Sequence, residues 1–61
     1  MKTSELVRFL KGKGCRIKRH GAEHDIWVNP ETGNDAPVPR HPAKEIHTGT
    51  VNRILKKLGL K

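Results

Sequence analysis

Apolar residues recur at helical spacing at both ends of the chain and at strand spacing in between. Leu6, Phe9 and Leu10, with Val7 beside them, make the first helical stripe. Thr3 or Ser4 is placed to cap that helix, Glu5 puts negative charge in its first turn, and Gly12 and Gly14 stop it. Near the other end, Val51, Ile54, Leu55 and Leu58 fall at i, i+3, i+4 and i+7. Thr48 or Thr50 serves as the cap there, Arg53, Lys56 and Lys57 line the outer face, and Gly59 occupies the C-terminal cap position. Both stripes read as core.

Between the helices the period changes to two. From Cys15 to His20, alternation puts Cys15 and Ile17 on a buried face and Arg16, Lys18 and His20 on a basic one, with Arg19 breaking the pattern. Gly21 and Ala22 turn the chain into a second strand, His24 to Asn29. Ile26 and Val28 share a face and are expected to join Ile17 in the core. Trp27 then falls on the opposite, cationic face. There it can stack on a base, cover an apolar gap or meet a protein partner. Asn29-Pro30-Glu31-Thr32-Gly33-Asn34 is the next reversal, and Asp35 to Pro39 a third strand with Ala36 and Val38 inward. Pro37 and Pro39 donate no backbone hydrogen bond, so that strand belongs at a sheet edge. Arg40 to Thr48 is a loop. The expected architecture is α+β, in the order α-β-β-β-α. Its three-stranded antiparallel sheet carries both helices on one face, because so small a sheet supports one core.

Sixty-one residues allow one domain, a small core and a shallow, open site. Charge changes the picture most: thirteen Lys and Arg oppose six Asp and Glu, for a net charge of +7. Such an excess favours a polyanionic partner, above all nucleic acid. The single Cys15 forms no intrachain disulfide, which suits a reducing cytoplasm. No apolar run is long enough to span a membrane, and the first residues lack the apolar stretch of a signal peptide.

The candidate chemistry is narrow. His20 and His24, or His41 and His47, with one cysteine give no closed metal-ligand set. A strand-buried thiol at Cys15 is a poor nucleophile. No glycine-rich phosphate loop is present. What remains is His24, an imidazole (the side-chain type suited to acid–base work at neutral pH) at the join of turn and strand, beside Arg16, Lys18, Arg19 and His20. RNA carries its own nucleophile, the 2′-OH, so one positioned base and some cationic stabilisation suffice in principle for cleavage, with no cofactor. Lys18 and Arg19 are the candidate phosphate contacts, Trp27 a candidate base contact, and His41 the runner-up proton shuttle. A non-catalytic RNA-binding module of the same fold remains the alternative on these residues alone.

Val38-Pro39-Arg40-His41-Pro42-Ala43-Lys44-Glu45-Ile46-His47-Thr48-Gly49-Thr50 runs into Val51-Asn52-Arg53-Ile54-Leu55-Lys56-Lys57-Leu58-Gly59-Leu60. This pattern, with the glycine-to-histidine hairpin of Gly21 to Trp27 upstream, resembles the HicA toxins of bacterial type II toxin–antitoxin systems. The resemblance covers nearly the whole chain, residues 1–61 as a single HicA-like domain. It implies a double-stranded-RNA-binding-like fold and a ribosome-independent mRNA interferase with one catalytic histidine, which falls on His24. It also implies a HicB antitoxin as partner, covering the active face. Two positions depart from the pattern: Ala22-Glu23 stands where many members have Gly-Ser, and Asp25 where many carry a second histidine.

Overall fold

The structure is a computed structural model that describes all 61 residues, Met1–Lys61. Its elements are α1 (Thr3–Gly12), β1 (Arg16–His20), β2 (His24–Val28), β3 (Asp35–Pro39) and α2 (Thr48–Lys57). The strands form one antiparallel sheet in the order β1-β2-β3. This is the α-β-β-β-α order expected from the periodicities.

Both helices are closed by the same device. After α1, Gly14 has φ +86°, the Gly14 N–H donates to Lys11 O (3.0 Å) and the Cys15 N–H to Leu10 O (2.9 Å). After α2, Gly59 has φ +76°, with Gly59 N–H to Lys56 O (3.1 Å) and Leu60 N–H to Leu55 O (2.8 Å). These pairs are the 5→2 and 6→1 bonds of a Schellman ending, which satisfy carbonyls the helix leaves open. The N-termini differ from expectation. Lys2 is the N-cap of α1 and His47 that of α2, and neither residue caps with its side chain. Thr3 is instead the first residue of α1, buried at 1% exposure, and its hydroxyl donates to Lys44 O at 3.1 Å. The N–H groups of Thr3 and Ser4 donate to Lys44 O and Pro42 O at 2.9 and 3.0 Å. The loop after β3 therefore supplies the acceptors that a capping side chain otherwise provides. It is bound across the start of α1 and held by Ile46, which is buried.

One core lies between the helices and one face of the sheet. Leu6 and Leu10 enter it from α1, Val51, Ile54 and Leu58 from α2, and Trp27, Ala36 and Val38 from the strands, with Cys15 and Ile46 at its edges. Two expectations are corrected here. Trp27, expected outside, is buried at 3% exposure; Ile26 and Val28, expected inside, are half-buried on the outer face, and Ile17 is 39% exposed. Three consecutive apolar residues leave the parity of β2 undecided, and the indole decides it. A Trp buries roughly 150–250 Å², more than either aliphatic neighbour can offer. Phe9 also leaves the core for its rim at 39% exposure, where the Lys13 ammonium lies 5.5 Å from the ring centroid.

The register carries a bulge. Arg16 and Ile17 pair with Val28 and Trp27, and Arg19 and His20 then pair with Ile26 and Asp25. Lys18 is the extra residue, so alternation reverses after it. Arg19 goes to the outer face, and His20 comes round to the helix side. Between β2 and β3, Gly33 takes φ +75° in a turn closed by Gly33 N–H to Asn29 O (2.8 Å). Asn29 is 2% exposed; its Nδ2 donates to Leu58 O at 2.8 Å and its Oδ1 accepts from the Glu31 N–H at 3.1 Å. That side chain ties the turn to the end of α2. Asn29→Ala strips a buried carbonyl of its donor and is expected to cost about 1–3 kcal/mol in a urea unfolding titration.

Candidate active site

The site grows out of the β1–β2 turn. The Gly21 N–H donates to His24 O at 2.7 Å, and a Cβ built on Gly21 would stand 2.7 Å from that same oxygen. Only glycine lets the two backbone segments approach this closely. The turn delivers His24 as the first residue of β2, exposed and paired with Pro39. Because its partner closes β3, His24 also faces the loop that follows.

Two open depressions meet at His24. One, of about 370 Å³, is lined by Ala22, Glu23, His24, Pro39, Arg40, His41 and Lys44. The other, of about 230 Å³, is lined by His24, Ala36, Pro37, Pro39, Thr50, Arg53, Ile54 and Lys57. His24 thus has Arg40 and Lys44 on one side and Arg53 and Lys57 on the other. Of the four histidines, only His20 is paired with a carboxylate. The imidazole of His24 is left without a carboxylate partner between two cation-lined hollows.

The expected helpers are placed differently. Lys18 and Arg19 lie on the outer face and line neither hollow. The Lys18 ammonium is 3.0 Å from Asp35 Oδ2, and this contact holds the Asp35 carboxyl below its ordinary value. Trp27 is sealed in the core, so it presents no ring face to a base, and that assignment is withdrawn. His41 does share the larger hollow with His24. The Cys15 thiol is pushed up by burial and by the nearby Glu31, as suits an inert core thiol. No three His, Cys, Asp or Glu side chains gather into a set able to hold a metal ion.

Sequence reasoning passed over the most tightly organised group. Asp25 has a side chain only 12% exposed, and its Oδ1 is 2.7 Å from His20 Nδ1 and 3.0 Å from Arg40 Nε. Arg40 also donates through Nη2 to Gly21 O, the carbonyl at the foot of the turn. The signal was parity: with Trp27 inward, Asp25 two residues earlier is inward as well and needs partners. The His20 hydrogen bond, followed by Arg40, holds the Asp25 carboxyl below the usual carboxylate value. A depressed folded-state pKa gives stability that is present above the unfolded value and lost as pH falls through the folded one. Tm is therefore expected to hold from neutral pH to about 5 and to fall below about 4, as Asp25 and Asp35 protonate. Asp25→Asn should flatten part of that acid limb in calorimetry across pH.

Fold and charge define the class first: a small, basic α-β-β-β-α protein with an exposed histidine at the mouth of its first hairpin. Comparison with known proteins sharpens this. The sequence profile of the family described as "HicA toxin of bacterial toxin-antitoxin" matches residues 3–60. A probable mRNA interferase HicA 2 of Photorhabdus laumondii is 40% identical over 62 aligned residues, covering 100% of both chains. A probable mRNA interferase HicA of Pseudomonas fluorescens is 37% identical, covering 100% of this chain and 98% of its own. Among solved structures, a chain of the E. coli HicAB toxin–antitoxin complex superposes with a TM-score of 0.84 at 35% identity, over 98% of this chain and 100% of that one. The chain belongs to the HicA family of bacterial toxins.

Proposed function

We propose that this protein is the endoribonuclease of a toxin–antitoxin pair, cleaving mRNA in the cytoplasm with His24 as general acid and base. The observation that carries the reading is His24 itself, exposed and unpaired with any carboxylate at the junction of the two cationic hollows. In this scheme His24 removes the proton of a ribose 2′-OH. The 2′-oxygen attacks the adjacent phosphorus, the bond to the 5′-oxygen breaks, and that oxygen takes a proton as it leaves. The products are a 2′,3′-cyclic phosphate and a 5′-hydroxyl end. The extra negative charge on the phosphoryl oxygens in the transition state is met by the neighbouring cations. No helix is long and apolar enough to cross a membrane.

A HicB-type antitoxin is the partner this reading requires, since the E. coli neighbour was solved in such a complex. It silences the toxin by covering the His24 face. The test is incubation of the purified chain with RNA in excess chelator, with end-group analysis of the products. Cyclic phosphate ends, and no cleavage at a 2′-deoxy substitution, are expected. RNA that stays intact while binding in a salt-dependent way would replace the enzyme by an RNA-binding module.

A further inference from the structure

Four cations surround His24, and the geometry distinguishes one of them. Lys44, Arg53 and Lys57 form no ion pair within the protein, so nothing of that kind fixes their charges in place. Arg40 is different. Its Nε is 3.0 Å from Asp25 Oδ1, and its Nη2 donates to Gly21 O. Those bonds engage two of the five guanidinium N–H groups and leave three free. Arg40 directly follows Pro39, the cross-strand partner of His24, and lines the same hollow of about 370 Å³.

We propose that Arg40 is the group that binds the scissile phosphate beside His24, and that Asp25 is the positioning residue that holds it there. The proposal rests on that hollow being the RNA site. A guanidinium fixed in advance costs no reorganisation when negative charge develops, and its planar fork matches two phosphate oxygens. The anchor does not cancel the cation for an arriving strand, because the Asp25 side chain is 12% exposed and that of Arg40 43%. Asp25 is shared with His20 through the same oxygen, so its charge is divided between two donors. One element does two tasks. Arg40 presents its free edge to the hollow and, through Gly21, braces the turn that delivers His24.

Single-turnover cleavage of an oligoribonucleotide by wild type and by Arg40→Ala, Arg40→Lys, His24→Ala and Arg8→Ala tests this, with circular dichroism as the folding control. Arg40→Ala is expected to lose ~10²–10³ in rate. Arg40→Lys should recover only part of it, since a point charge lacks the fork. Arg8→Ala, on the exposed side of α1, should change nothing. Binding is read on the His24→Ala background, where adding Arg40→Ala should flatten the slope of log affinity against log salt by about 0.7, one phosphate contact to a single strand. Asp25→Asn should slow cleavage in the wild type yet add nothing to Arg40→Ala, because it acts through that residue. A folded Arg40→Ala that cuts like wild type, or an unchanged salt slope, overturns the phosphate role, and additive loss in the Asp25 cycle overturns the anchor. If wild type leaves RNA intact, the His24 reading fails separately, and the salt slope alone judges Arg40.

Discussion

His24→Ala is expected to reduce RNA cleavage by ~10²–10⁴-fold, the contribution of one positioned acid or base. Growth arrest on induced expression should disappear with it. Stability should stay within about 0.5 kcal/mol of wild type, because an exposed side chain with no carboxylate partner gives up little when truncated. The measurement pairs a cleavage time course with a urea titration on the same protein. A stability loss of several kcal/mol would make His24 a structural residue. Unchanged cleavage would remove it from the chemistry.

Trp27→Ala should do the reverse. At 3% exposure in the centre of the core, its loss leaves a cavity that costs about 3–5 kcal/mol. A domain of this size sits near the lower end of the usual 5–15 kcal/mol, so the variant is expected to be largely unfolded or close to it. Trp27 is the only tryptophan, so far-UV circular dichroism and not fluorescence must follow the transition. Trp27→Phe should keep the fold and lose less. Were Trp27 a base-stacking residue, stability would hold and RNA affinity would fall.

The two expectations give His24 and Trp27, three positions apart on one strand, opposite tasks. Parity does it: His24 shares the outer face with Ile26 and Val28, while Asp25 and Trp27 share the inner one. The loop after β3 then turns an edge strand into one wall of the site. Because its Pro42 and Lys44 carbonyls accept from the N–H groups at the start of α1, it is fixed where Arg40, His41 and Lys44 face His24.

Much of this was legible in the residues. The two helical stripes, the glycines at positions 14 and 59 and the prolines of β3 predict elements that the structure contains. These features are local, and local spacing records them. His24 stood out because a turn glycine and a strand start bracket it. The Lys18 bulge, the inward parity of β2 and the Asp25–Arg40 contact did not stand out. Each depends on which residue lies opposite, and pairing across strands leaves no mark in the spacing along one strand.

The sequence by itself determined the order of elements, the basic surface and the histidine at the hairpin's mouth, because periodicity, capping glycines and net charge are properties of neighbouring residues and of totals. Tertiary structure alone decided that the indole goes in and Ile26 and Val28 stay half out, that Asp25 is buried between His20 and Arg40, and that Lys18 and Arg19 line neither hollow. The physical reason is competition for one small core. With a single sheet face to cover, the largest apolar side chain takes the inner position, and the rest of β2 follows the parity it sets.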